Sequence, residues 1–181
     1  MHWAEHKFAP AILAILTFAE SVFFPIPPDV LLAPMVLSKP ERAWRLAALT
    51  TVSSVIGGVV GYLLGYLLFE PVIQPILIDF NYMDKFNLAM NWFEEYGVWV
   101  VFIAGFSPIP YEVFTLSAGF LQMLFIPFLI ASTVGRGLRF FLVAGLIKAG
   151  GKPMESKIRE SVDLIGWVIV FLIIALYFII N

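Results

Sequence analysis

The chain has 181 residues, 61% of them hydrophobic and 13% charged, with a net charge of -2 and a mean hydropathy of +0.93. A soluble domain carries about 25% charge, so this composition is that of an integral membrane protein, read as one membrane domain over residues 1–181. The slight negative charge and the lack of a basic tract exclude a nucleic-acid partner, and the absence of cysteine excludes disulfides, thiol nucleophiles and thiolate metal sites.

In chain order, His2-Trp3-Ala4-Glu5-His6 matches an H-x-x-E-H string. The chain has two histidines in all, so a third ligand is missing and no metal site is expected. Glu5 and the lack of a small-residue cleavage site argue against a signal peptide. Residues 8–24 then form an apolar helical run that stops at Pro25-Ile26-Pro27-Pro28. The next run, 30–37, is too short to cross, since a span needs about 20 residues at about 1.5 Å each. Residues 8–38 therefore read as a re-entrant hairpin: a helix in, a break near mid-membrane, a half-helix out.

Residues 43–69 are long enough to cross with some tilt. They carry Gly57, Gly61 and Gly65 at four-residue spacing, a small-residue face that lets another backbone approach closely, so packing is expected there. Residues 70–96 are the most polar stretch and read as amphipathic helices at the extracytoplasmic surface. Residues 97–125 repeat the first hairpin, broken at Pro108 and Pro110. Residues 128–147 cross, 150–163 read as a polar loop, and 164–180 as a short last span.

The two breaks resemble each other: Pro25-Ile26-Pro27-Pro28-Asp29-Val30 against Pro108-Ile109-Pro110-Tyr111-Glu112-Val113. Farther on, Ser53-Ser54-Val55 lines up with Ser132-Thr133-Val134, about one helical turn out of register. Each half is thus a hairpin followed by one crossing helix, so the second half must enter from the opposite face. The predicted fold class is an all-α membrane protein with an inverted repeat: a first half over 8–69, the surface segment 70–96, a second half over 97–149, and a loop and C-terminal helix over 150–181. Lys7, Lys39, Arg42, Arg45, Lys148, Lys152, Lys157 and Arg159 fall on one side of this topology and Lys85 alone on the other. Basic loops stay inside, which predicts a multi-pass protein of a bacterial inner membrane with a cytoplasmic N-terminus.

Five charges remain in the apolar zone: Glu20, Asp29, Glu112, Arg136 and Arg139. Each costs roughly 2.5–3.5 kcal/mol at a bilayer centre unless it faces a partner or water. Glu20 reads either as a helix-end residue reaching interfacial water or as a functional carboxylate, and no basic neighbour in sequence explains it. Asp29 and Glu112 open the outgoing half-helices. There they serve either as N-terminal caps or as proton-handling groups, and the two roles are compatible. Arg136 and Arg139 are three residues apart and share a helix face. They form structural ion pairs or a phosphate clamp, with Arg139 expected to be the more embedded and the better phosphate ligand.

Three segments resemble the DedA family, also called the VTT or SNARE-associated Golgi domain family, with its small YqaA-like branch the nearest. They are Phe18-Ala19-Glu20-Ser21-Val22-Phe23-Phe24-Pro25-Ile26-Pro27-Pro28-Asp29, Phe106-Ser107-Pro108-Ile109-Pro110-Tyr111 leading to Ser117-Ala118-Gly119, and Gly135-Arg136-Gly137-Leu138-Arg139-Phe140. The resemblance implies two opposed re-entrant hairpins and lipid transport, namely recycling of undecaprenyl phosphate linked to proton motive force in bacterial members and phospholipid scrambling in eukaryotic ones. It also implies essential acidic residues around the first break, matched here by Glu20 and Asp29. Many members of the family bracket the second break with two arginines. This chain has Gly105 and Tyr111 there, followed by Glu112 where YqaA-like members often carry lysine.

The reading is a transporter, not an enzyme, flipping or scrambling a phosphate-bearing lipid with protons as coupling ion. Glu20, Asp29 and Glu112 would handle protons, and Arg136 and Arg139 would meet the phosphate. Membrane lipids and protons are the partners, a second copy of the chain is a candidate partner, and no cofactor is expected. Two alternatives are a proton-coupled exporter of small cations, favoured by three carboxylates against two arginines, and a non-transporting structural or chaperone-like protein whose charges lock the fold.

Overall fold

A chain this apolar can satisfy its backbone polar groups within a bilayer only by closing them on themselves, and helices do so locally. The computed structural model describes residues 8–22, 27–80, 83–106 and 110–180, and among these it is nearly all helical, with no strand. Helix α1 is Ala9–Val22 and α2 is Asp29–Ser38. At about 1.5 Å per residue each is shorter than the roughly 30 Å hydrocarbon core. A 3-10 turn, Pro40–Arg42, leads into α3, Ala43–Leu68, whose 26 residues reach about 39 Å. Pro71 has no N–H to return to residue 67. The helix widens there into a π turn, Phe69–Ile73, before α4, Gln74–Asp79.

Helix α5 is Met83–Phe106, α6 is Tyr111–Phe120, and α7 is Phe125–Ile180 with a kink at Gly151. Two helical stretches, Pro40–Asp79 and Phe125–Gly151, are long and apolar enough to cross a membrane. Three boundaries differ from the sequence reading. Helix α5 runs through residue 97 without a break. The half-helix expected to reach residue 125 stops at Phe120, in a turn closed by Gln122 N–H to Gly119 O (3.0 Å) and Met123 N–H to Ala118 O (2.9 Å). The polar loop expected over 150–163 is instead a kink. Gly151 adopts φ 61° and ψ -150°, a region open to glycine alone, and Pro153 falls in the first turn of the helix that follows, where proline is tolerated.

The core has two apolar parts with a polar belt between them. The first joins Leu13 of α1, Leu32 and Val36 of α2, Ala43, Leu46 and Ala47 of α3, and Phe140, Val143, Ala144 and Ile147 of α7. The second joins Tyr62 of α3, Phe93 and Val101 of α5, Tyr111 and Ala118 of α6, and Phe128 and Ala131 of α7. Helix α3 thus passes from the first part to the second, and α7 from the second to the first. The two long helices are antiparallel, and midway along both lie the buried Thr50, Thr51, Ser54, Ser132, Arg136 and Arg139.

Close approach of backbones holds this arrangement. A Cβ at Gly57 would meet the Phe18 carbonyl oxygen of α1 at 2.5 Å, at Gly61 the Thr115 hydroxyl of α6, and at Gly65 the Leu116 carbonyl oxygen. Gly119 of α6 lies in turn against the Tyr62 carbonyl of α3. Tyr62 also donates its hydroxyl to the Met123 carbonyl oxygen at 2.5 Å, tying α3 to the α6–α7 turn.

The outer surface is inverted relative to a water-soluble protein. Leu67 is 65% exposed while Glu20 is 5% exposed. On α7, Ile130, Val134, Leu138 and Leu142 form an exposed apolar row at four-residue spacing, and on α3 Val52, Ile56, Leu63 and Leu67 are exposed. Apolar area on this scale is stable when lipid covers it.

Candidate functional site

All five charges of the apolar zone are buried, and they gather at the polar belt. Thr17, Thr50 and Thr51 return their hydroxyls to carbonyls four residues earlier, at 2.7–2.8 Å, and so add no unpaired polar group. Helix α1 brings Glu20 and Ser21, α3 brings Ser54, and α7 brings Arg136. The Arg136 guanidinium donates from Nη2 to Glu20 Oε2 and from Nε to Ser54 Oγ, each at 2.5 Å. Ser21 Oγ is 2.9 Å from Glu20 Oε2 and 2.8 Å from Ser54 Oγ. Each hydroxyl has one proton to give. With Ser54 accepting from Arg136, its own proton turns to Ser21, and that of Ser21 is shared between Glu20 Oε2 and the Thr17 carbonyl oxygen at 3.1 Å. The result is a closed ring of hydrogen bonds joining three helices around one ion pair.

Two aromatic rings flank the guanidinium, Tyr111 at 4.6 Å and Phe140 at 4.8 Å from Cζ to ring centroid. Facing the π clouds offsets part of the cost of burying this cation. Tyr111 is positioned by α6 against Gly58 of α3, which leaves room for the phenol (3.1 Å from a Cβ built on the glycine). Arg136 is 1% and Arg139 7% exposed. Arg136 is therefore the more embedded arginine, contrary to the expectation for Arg139, because residues distant in sequence wrap it.

Arg139 donates from Nη2 to Asp29 Oδ2. Asp29 and Glu112 both lie in the first turns of their helices. The N-cap positions are held by Pro28 and Pro110, and neither cap makes a side-chain hydrogen bond. The carboxylates complement the positive helix ends without acting as caps. Glu112 forms no ion pair among the described residues, and its Oε2 has no hydrogen-bond partner there. Pro25 and Pro108, and the His2–His6 string, lie outside the described residues.

Sequence reasoning missed three members of this set. Ser21 and Ser54 bridge the Glu20–Arg136 pair, and Tyr111 is the floor under Arg136. The aligned serines are also one position out: Ser54 and Ser132 are the buried ones, while Thr133 is exposed. An i-to-i+4 burial pattern, Thr50 to Ser54 and Phe128 to Ser132, was the available signal.

The VTT domain family model matches residues 14–149. The chain is 48% identical over 181 residues to an uncharacterised protein of Haemophilus influenzae, covering 100% of this chain and 94% of the relative. It is 45% identical, with the same coverage, to an uncharacterised protein of Histophilus somni. It is 37% identical over 68 residues to undecaprenyl phosphate transporter A of Staphylococcus aureus, covering 38% of this chain and 32% of that protein. No solved structure matches the chain.

Proposed function

The chain belongs to the VTT domain (DedA) family, and on that premise we propose that it is a membrane transporter moving a phosphate-bearing lipid between leaflets, with protons exchanged at its buried carboxylates. The observation that carries this reading is the pair of arginine–carboxylate contacts, Arg136 with Glu20 and Arg139 with Asp29, buried where the long helix α7 meets the short helices α1 and α2. A group with no task at that depth is costly. The partial likeness to an undecaprenyl phosphate transporter supports a phosphate-bearing lipid as substrate.

The chemistry follows from the pairs. A guanidinium held by a carboxylate cannot take a phosphate as well without excess negative charge. A proton on Glu20 or Asp29 removes that competition, and the planar fork of the arginine then suits two phosphate oxygens. Loss of the proton restores the pair and releases the phosphate. One proton is thus bound and released together with one anionic head group, while the acyl or prenyl tail stays in lipid along the exposed apolar rows.

In this proposal α1–α2 and α5–α6 are two re-entrant hairpins entering from opposite faces, each followed by a crossing helix, α3 and α7. The proposed halves are 8–69 and 97–149, the second beginning inside α5, in a bacterial inner membrane with the N-terminus cytoplasmic. The gathering of Arg42 and Arg45, at the start of α3, on the same end as Lys148, which stacks on Trp44 at 5.2 Å, supports that orientation. A cation exporter is the second reading, favoured by Glu112, the carboxylate without an arginine. A purely structural role is disfavoured by the same residue, since a set built only to lock the fold would leave no charge unpaired. Reconstitution in liposomes with chain-labelled lipids, with and without a pH gradient, tests the proposal. Lipid movement that depends on the protein and responds to the gradient supports it, and movement no faster than in empty liposomes refutes it.

A further inference from the structure

An open-sided cavity of about 250 Å³ lies between α5 and the turn that joins α6 to α7. From α5 it is lined by Met90, Glu94 and Val98, which fall at four-residue spacing on one helix face. From the turn it is lined by Gln122 and Met123, and from the start of α7 by Pro127. It shares no residue with the Glu20–Arg136 and Arg139–Asp29 pairs. Its turn side is fixed in place. Helix α6 stops at Phe120, and Gln122 takes φ 53°, the one non-glycine residue at positive φ among the described residues. Such conformations are uncommon and cluster at ligand sites. Met123 is 7% exposed, and its carbonyl oxygen accepts the Tyr62 hydroxyl at 2.5 Å. The wall is therefore formed before a ligand arrives, which lowers the cost of binding.

The lining states what fits. Met90, Val98, Met123 and Pro127 are apolar, and thioethers adapt to the edge of an aromatic ring. A cavity of about 150 Å³ takes benzene, so this one has room for a ring and a short arm. Its polar groups are the Glu94 carboxylate and the Gln122 amide. Glu94 forms no ion pair among the described residues. A carboxylate repels anions, and one carboxylate with one amide supplies too few oxygens for a bare metal ion. The surrounding chain has the same sign: residues 70–96 carry Glu70, Asp79, Asp84, Glu94 and Glu95 against Lys85 alone. A field of that sign raises the local concentration of cations.

We propose that this cavity binds a small organic cation with an apolar body, of the aryl-alkyl ammonium class. The ring lies among the two methionines, Val98 and Pro127. The ammonium, with three N–H donors and no acceptor, sits between the Glu94 carboxylate and the Gln122 side-chain oxygen. The site goes beyond the transport reading and does not depend on it.

The test is calorimetric titration of the purified full chain in detergent with phenethylammonium, phenethyl alcohol and phenylacetate. These share one ring and differ in charge, and each is also titrated into detergent alone. Phenethylammonium is expected to bind about fivefold more tightly than the alcohol, the size of one partly exposed ion pair, and phenylacetate more weakly than either. Glu94→Gln is expected to remove the fivefold advantage. Glu95→Gln makes the same charge change one residue on, outside the lining, and is expected to keep it. Val98→Trp fills the cavity from α5 and is expected to abolish binding, with melting temperatures recorded on the same samples. If that variant folds poorly, the comparison of the two glutamine variants still decides. Heats no larger than those in detergent alone overturn the site. Equal affinity for the three compounds, or an equal effect of Glu94→Gln and Glu95→Gln, overturns the assignment of a cation to it.

Discussion

Glu20 and Arg136 stand 116 residues apart in the chain and 2.5 Å apart in the fold, Oε2 to Nη2. The contact ties α1, the first helix, to α7, the last, through the centre of the bundle. Its strength depends on acceptor geometry as much as on charge, because Ser21 and Arg136 both donate to the same oxygen. Both Glu20→Gln and Glu20→Ala remove the counter-charge of Arg136, but Gln retains an acceptor oxygen for both donors, whereas Ala leaves them without one, at a further cost of about 1–3 kcal/mol. The alanine variant should therefore melt well below the glutamine variant, as measured by thermal unfolding in one detergent. Equal melting temperatures would show that the acceptor oxygen adds nothing beyond the charge.

Arg139→Lys keeps the positive charge beside Asp29 and loses the planar fork. A simple ion pair tolerates this change, while a bidentate phosphate contact does not. Lipid movement should fall by about tenfold or more, with melting temperature nearly unchanged. Unchanged movement would remove Arg139 from the phosphate site.

The packing account rests on the α3–α6 contact. Gly119→Ala drives a methyl into the Tyr62 carbonyl, which belongs to a helix backbone and cannot turn away. Overpacking of this kind costs about 1–3 kcal/mol. Gly137→Ala meets only the Thr51 methyl at 3.7 Å, an ordinary contact, so it should be neutral. A thermal-unfolding comparison of the two that fails to separate them would contradict the close approach of α3 and α6.

Orientation can be read without background, because the chain has no cysteine of its own. Single cysteines at Asp84 and at Lys148 should react with an impermeant maleimide from opposite sides, Asp84 from outside the cell. Labelling of Asp84 from the cytoplasmic side alone would reverse the proposed topology.

Much of the architecture was legible in the sequence because run length and hydropathy act locally. The long apolar runs became α3 and the first part of α7, and the interruptions ended α1 and α5. The five embedded charges were legible for the same reason, since each violates the apolar pattern at its own position. Their pairing was not, as the partners lie 116 and 110 residues apart and no local rule joins them. Arg139 looked deeper than Arg136 because depth was judged along one helix, whereas Phe140 and the distant Tyr111 decide burial. Tyr111 read only as a missing basic residue, and its aromatic role needed a fold to show it. The helix after Gly151 was hidden by composition: glycine and proline usually mark loops, yet a single glycine at positive φ followed by a proline in a first turn makes a kink between helices.

The central claim, that Glu20 carries a proton while a phosphate-bearing lipid crosses, is tested most directly by Glu20→Gln in liposomes. Translocation of a tail-labelled lipid across a pH gradient and the melting temperature would be measured on the same preparation. The account predicts that translocation falls to the level of empty liposomes and loses its response to the gradient while the protein stays folded. Translocation equal to the parent protein's, or a loss that only parallels unfolding, would contradict it.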